Sequence, residues 1–423
     1  MSKSPLLATV CLGISAWGAL AADVTVKSQF IQTFAADSNY QMQPDPPGQT
    51  YLPVSTLVFD AVARTPTMRF AATADLSYRT YFGPGAENLL PGLDRGILVR
   101  AEKTTELATF KLAAARRFQQ TSQLQLAQTG VNTIGGDTIT TWVEGIVTHQ
   151  LNESDFLTWA TRATSLEFTS PTGTPSQDLT TTGAWRHRLT PLTELTPSVQ
   201  FESITYGNST NSEVMIWRGL IGAESRLTKR LRFKGSVGVA HITLNQDGNP
   251  AAPNPAQLAS GSAADWLADV LLTYDLNSRN TFTFAAAQSV GPDVLGQIRK
   301  VDIVGLVLSH RLNNYSGLTF STQASHQTSV GNVTDLYSAS VAYGLRMTPE
   351  WFMDISYRLR QRTGGNTAPA TSNAVFLTVR HDVTLLAGGT DRSPVPVIED
   401  ATALMASPAE WAITRRQDVP VRP

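Results

Sequence analysis

From Leu336 onward every second residue is apolar: Tyr337, Ala339, Val341, Tyr343 and Leu345. Between them stand Leu336, Ser338, Ser340, Ala342, Gly344 and Arg346. After Met347-Thr348-Pro349-Glu350 the alternation restarts. Trp351, Met353, Ile355, Tyr357 and Leu359 take one parity, and Phe352, Asp354, Ser356, Arg358 and Arg360 the other. Successive side chains of a strand point to opposite faces, so this period of two predicts two strands joined by a tight turn. One face is aromatic and aliphatic, while the other carries Arg, Asp and Ser. That is the pattern of a strand with lipid on one side and a polar lumen on the other.

The same reading along the chain predicts strands over 26–36, 51–64, 67–82, 95–103, 107–119, 138–150, 155–168, 179–189, 195–206, 214–227, 231–244, 265–276, 281–289, 298–312, 316–327, 336–346, 351–360 and 372–386. Short turns alternate with longer loops rich in Gly, Pro, Asn and Asp. Asp37–Gln49 and Asn245–Ala263 are such loops, and Gln120–Asp137 reads as another long loop, Leu124 and Leu126 offering a short extra strand only as the alternative. Several short turns share a form, as in Leu189-Thr190-Pro191, Leu227-Thr228-Lys229 and Met347-Thr348-Pro349. The expected fold is all-β: an antiparallel up-and-down transmembrane β-barrel of about 18 strands, with 16 the alternative count, short periplasmic turns and longer extracellular loops. An even count places both ends of the barrel on the periplasmic side. The segment 298–312 departs from the pattern, with Val301, Ile303 and Val307 on one face and Val304, Leu306 and Leu308 on the other. A plugged region and a subunit-facing region would both read this way.

Composition agrees with a barrel. Of 423 residues, 42% are hydrophobic and only 16% charged, against about 25% charged in average globular chains. Yet after the first two dozen positions no apolar run reaches the length of a helical span. A net charge of -1 gives no electrostatic case for nucleic acid as a partner. The start reads as a signal peptide over 1–21, with Lys3, an apolar run from Leu6 to Leu20 and the small-x-small site Ala19-Leu20-Ala21. The single cysteine, Cys11, lies inside it, so the barrel over 22–386 is expected to lack disulfides. Residues 387–423, with Pro394, Pro396, Pro408, Pro420 and Pro423, read as a periplasmic tail, mostly disordered, open to a periplasmic partner.

Arg or Lys on the lipid face near the midplane costs about 2–4 kcal/mol, so charges within strands should point inward. Arg69, Asp75, Arg79, Arg186, Arg188, Glu202, Arg232, Lys234, Asp354, Arg358 and Arg360 all fall on the polar parity of their strands and are the candidate pore-lining residues. They would either select solutes or pair across strands and keep the lumen wet. Tyr81, Phe82, Trp185, Trp217, Trp266, Tyr274 and Trp351, and Tyr315 in a turn, stand near strand ends where an aromatic girdle forms.

Enzyme chemistry has no signature here. His149, His187, His241, His310, His326 and His381 form no paired ligand spacing, which argues against a metal site. Ser309-His310 and Ser325-His326 are sequence neighbours and so face opposite ways in a strand. Gly291–Gly296 lacks the Lys-Ser/Thr of a phosphate loop. Neither a catalytic residue nor a cofactor is expected.

Two stretches carry a resemblance. Thr56, Leu57, Phe59, Arg64 to Thr67, Tyr78, Arg79 and Tyr81 to Gly83 make one, and Gly183 to Pro191 the other. They resemble proteobacterial outer-membrane β-barrel proteins, relatives of which accompany exopolysaccharide secretion and exosortase systems. The resemblance covers most of 26–386 and implies the outer membrane of a Gram-negative bacterium, with its lipid as one partner and a polysaccharide or small solute as another. It implies no catalytic residues. Many such barrels close on a terminal aromatic, whereas Leu385-Leu386 ends the last strand here. The expected function is a porin-like channel for passive solute passage or polysaccharide export. The alternative is a structural or adhesive barrel with a closed lumen, and a barrel lipid-modifying enzyme ranks below both.

Overall fold

A computed structural model describes residues 23–87, 89–122, 136–170, 173–207, 212–245, 262–292, 298–329, 332–364 and 368–386. The signal segment, the tail and Leu124 and Leu126 of the 120–137 loop lie outside these residues, as does most of the 245–263 loop.

Eighteen strands follow one another: β1 (Asp23–Asp37), β2 (Thr50–Arg64), β3 (Met68–Arg79), β4 (Gly92–Thr104), β5 (Ala108–Gln120), β6 (Asp137–Gln150), β7 (Asp155–Phe168), β8 (Ser176–Thr190), β9 (Thr193–Tyr206), β10 (Glu213–Arg226), β11 (Leu231–Asn245), β12 (Ser262–Asp275), β13 (Asn280–Pro292), β14 (Ile298–Arg311), β15 (Ser316–Ser329), β16 (Asn332–Arg346), β17 (Trp351–Gly364) and β18 (Ala370–Leu386). Each pairs antiparallel with its sequence neighbour, and β1 also pairs with β18, so the sheet closes on itself. Closure leaves no open edge, which a sheet in lipid requires because hydrocarbon offers backbone groups no partner.

Most strands run one to four residues beyond the expected bounds, and two boundaries have a specific cause. β3 stops at Arg79, and Phe82 instead makes an isolated bridge to Tyr51. Gly83 then turns the chain at φ +95, where a Cβ would stand 2.5 Å from the Gln49 carbonyl. β16 begins four residues before Leu336, because Asn332 to Asp335 still pair with β15.

The short turns are built alike. In each, a hydroxyl or amide oxygen just past the strand accepts backbone N–H groups that the ladder leaves unpaired. Thr228 Oγ1 accepts from Arg230 N and Leu231 N, and Thr348 Oγ1 from Glu350 N and Trp351 N. The amide oxygens of Asn152, Asn277 and Asn313 do the same. The Leu-Thr and Leu-Asn repeats of the sequence are thus one turn chemistry, and it marks one end of the barrel.

The outside is apolar. Val199, Ile221, Val237, Val239 and Trp266 are each more than half exposed, and exposed aliphatic and aromatic residues recur on nearly every strand. A belt of this extent on a water-soluble protein would far exceed the few hundred Å² that such surfaces tolerate. Strands of 14 or 15 residues, such as β10 and β11, exceed the roughly 9–11 needed to cross hydrocarbon, so both ends reach beyond it.

Candidate functional site

Cross-strand pairing assigns the inner face. Residues opposite one another in a ladder point the same way, so the parity opposite the exposed set points inward. Arg69, Asp75 and Arg79 share that face on β3, on the parity opposite the exposed Leu76 and Tyr78. Arg186 and Arg188 share it on β8, Glu202 on β9, Arg232 and Lys234 on β11, and Asp354, Arg358 and Arg360 on β17.

Many of these charges are paired. Arg117 donates to Asp75 at 2.8 Å. Glu194 receives Arg188 Nε at 3.3 Å and lies 3.9 Å from Arg186 Nε. Lys234 reaches Glu224 at 3.4 Å. Glu202 pairs with Arg218, and Arg79 with Asp94. Arg232 is exposed on the inner face, opposite Arg226 and Thr273.

A second set went unread in the sequence. Four aromatics stand on the polar parity, each with a guanidinium stacked on it. Arg162 lies 4.4 Å from the Trp142 ring centre, Arg186 4.3 Å from Phe156, Arg380 4.1 Å from Phe352 and Arg358 4.7 Å from Phe376. Such stacking holds long cationic side chains in place against the inner wall. The signal was present: an aromatic on the polar side of a strand, as Phe352 is beside Asp354, has no reason to be there for lipid.

At the long-loop end two elements pack against inner-face residues. The first is the loop from Ser38 to Gln49. Asp37, 1% exposed, accepts from Arg360 Nη2 at 3.0 Å and from Ser372 Oγ at 2.6 Å. Arg360 also bonds the Tyr40 carbonyl at 3.4 Å. On the far side Tyr40 meets the Tyr81 ring at 5.5 Å, and Gln41 Nε2 donates to the Gly85 carbonyl at 3.4 Å. Tyr40 and Met42 are buried, so the loop is packed in place, between β17–β18 on one flank and the segment after β3 on the other.

The second is the β13–β14 tip. The β12–β13 ladder ends at Ala268–Gln288, while β12 continues against β11 to Ser262 and β13 continues against β14 to Pro292. On a continuous wall β10 and β13 stand three strand spacings apart, about 14 Å. Yet Arg218 of β10 donates to the Val290 carbonyl at 3.1 Å. Val290 packs with Ile204, Tyr206, Val214, Ile216, Ala240, Ile242 and Leu267, all on the inner face of β9 to β12. Lys300, opposite Val290, reaches Asp265 at 2.9 Å. The tip has left the wall and lies against its inside. Near the tip β14 has no lipid-facing side, which accounts for Lys300 and Asp302 on the parity that exposes Val304 and Leu306 farther along the strand.

Aromatics ring both rims. Trp185, Tyr274, Tyr315 and Trp351 are exposed at the short-turn end, and Phe82, Trp217 and Trp266 at the other. Trp185 Nε1 donates to Asp155 at 2.9 Å, beside His187, whose ring nitrogen lies 2.7 Å from the same carboxylate. Trp351 stacks on His381 at 4.3 Å. Tyr81 is placed differently: it turns inward onto Tyr40 and donates to Gln120 at 3.0 Å. Burial, reinforced by Tyr40, pushes its phenol up, so it stays a neutral donor.

A closed wall of eighteen antiparallel strands, apolar outside, charged inside and girdled at both rims, is a transmembrane β-barrel of the outer-membrane type. The chain is therefore a protein of the Gram-negative outer membrane, with its short turns in the periplasm. No protein-family model matches the sequence, and no curated protein matches it. Among solved structures, OccAB2 of Acinetobacter baumannii is 9% identical, with 86% of this chain and 98% of that one covered at a TM-score of 0.46. The FrpB iron transporter of Neisseria meningitidis is 9% identical over 86% and 82%, at 0.48. A bacterial polysaccharide outer membrane secretin is 9% identical over 85% and 98%, at 0.39. At these values no property of theirs carries over to this chain.

Proposed function

We propose that the barrel is a narrowed channel for hydrophilic, predominantly anionic solutes. The observation that carries this reading is the inward ladder of Arg358, Arg360 and Arg362 on β17, with Arg380 on the same face of β18 nearer the short-turn end, opposite Phe352. Among its carboxylate neighbours, Asp37 is engaged by Arg360 and Asp382 by Arg380. The stacked aromatics refine the class. A ring face beside a guanidinium suits a sugar ring bearing an acidic group, so acidic saccharides are the solutes that would use both halves of each pair.

The Ser38–Gln49 loop and the β13–β14 tip set the narrowest section. An eighteen-stranded barrel without such insertions would leave an aqueous channel. The same two features favour a second reading, a barrel whose mouth is shut and whose loops do the work. Residues beyond Leu386 leave β18 at the periplasmic end, so 387–423 would serve as a periplasmic tail. Ion flux separates the readings. Refolded protein in a planar bilayer should show discrete steps, and Arg358→Gln with Arg362→Gln should cut its anion preference at least severalfold. Absence of steps from inserted, folded protein would favour the shut barrel.

A further inference from the structure

Arginine and lysine within the strands keep to the inner face with few exceptions, and two of the exceptions meet on one ring. Arg95 lies opposite Leu76 and Phe118, and Arg116 opposite Ile97 and Thr141, all on the outward parity. The guanidinium of Arg95 lies 4.4 Å from the Phe118 ring centre, and that of Arg116 lies 5.1 Å from it. Leu76, Leu93 and Ile97, exposed on the same face, surround them. Neither arginine has a carboxylate partner among the described residues, and the Nε of Arg116 is buried against the wall without a hydrogen bond. Two like charges held on one ring in an apolar belt repel each other and lack the cross-strand partners that stabilise the inner-face charges.

Their height limits what can neutralise them. Arg95 is the fourth residue of the 13-residue β4, counted from the long-loop end, and Arg116 the fifth from the matching end of β5. With about 9–11 residues needed for hydrocarbon, both guanidiniums stand where acyl chains meet headgroups in the outer leaflet. A small solute anion would have to leave water to reach them, whereas a lipid headgroup is already there.

We propose that Arg95, Phe118 and Arg116 form an outward-facing seat for a phosphate group of an outer-leaflet glycolipid. The ring holds the two forks side by side, and each can offer paired N–H groups to phosphate oxygens. The apolar neighbours take the acyl chains. This seat is independent of whether the lumen conducts.

Native mass spectrometry of the detergent-solubilised barrel tests it, with bis-phosphorylated lipid A as the probe. Dephosphorylated lipid A and inorganic phosphate are the comparison probes, and heat-modifiable gel mobility reports folding. The double variant Arg95→Gln/Arg116→Gln should bind bis-phosphorylated lipid A about thirtyfold more weakly, equivalent to roughly 1 kcal/mol per arginine near a charged headgroup. Arg95→Lys/Arg116→Lys keeps both charges but loses the stacked forks, so it should bind severalfold more weakly than wild type though more tightly than the Gln variant. Should the Gln variant fail to fold, a Lys variant equal to wild type would overturn the proposal. Dephosphorylated lipid A should bind wild type and variants alike. Equal binding of the bis-phosphorylated lipid by wild type and the Gln variant would overturn the proposal. So would equal binding of both lipids to wild type. Inorganic phosphate displacing lipid A at comparable concentration would also overturn it, by making the seat a free-anion site.

Discussion

At the scale of the residue, the barrel separates its charges by what surrounds them. The Asp37 carboxylate is fully enclosed and held by Arg360 and Ser372. Removing one partner of such a pair leaves the other buried and uncompensated, at a cost of about 3–5 kcal/mol. Arg360→Gln should therefore lower the denaturation midpoint of the folded barrel clearly, and Asp37→Asn/Arg360→Gln should recover part of the loss. A double variant no better than the sum of the singles would show that the pair does not hold the loop. The outward face obeys the opposite rule. Val237, more than half exposed at mid-strand in β11, should cost about 2–4 kcal/mol when replaced by Arg. Ser236→Arg, one residue away on the inner face beside Asp269, should be tolerated. Equal effects on unfolding would contradict the assignment of faces.

At the scale of the element, hairpins are specified locally and their ends are not. The alternation in 351–360 marked β17 as a strand, and Trp351, Ile355 and Tyr357 of its apolar parity are exposed. Threonine and asparagine after the strands marked the tight turns because one side-chain oxygen satisfies two backbone donors. Thr348→Ala removes that acceptor and should cost about 1 kcal/mol, read as a lower unfolding midpoint with unchanged conductance. What the sequence could not show is where a strand leaves the wall. The mixed faces of 298–312 were legible as an anomaly, but periodicity cannot say that Val290 and Lys300 face the inside of β10 to β12. That depends on contacts between segments some seventy residues apart, such as Arg218 with Val290. Likewise the composition of Asp37–Gln49 marked a loop, while its anchoring to Arg360 exists only because β1 closes onto β18. Val290→Asp places a charge among Ile204, Ile216, Ile242 and Leu267 and should release the tip, raising unit conductance. An unchanged conductance would mean that the tip does not narrow the path.

At the scale of the whole molecule, eighteen strands enclose more space than side chains alone fill, and the protein reduces it from the extracellular side. Among the described residues, the periplasmic end has tight turns between its strands. On the proposed reading solute selection is divided: the mouth would limit size through the Ser38–Gln49 loop and the β13–β14 tip, and the wall below would select charge through arginines stacked on Trp142, Phe156, Phe352 and Phe376. The outer surface answers to lipid, with girdles at both rims and the Arg95–Phe118–Arg116 group on one side. The most direct test of this division is single-channel recording of the refolded barrel under a potassium chloride gradient. Discrete steps with a reversal potential displaced toward that of chloride are the predicted result. Silence from protein shown to be folded and inserted, or a reversal potential displaced toward that of potassium, would contradict it.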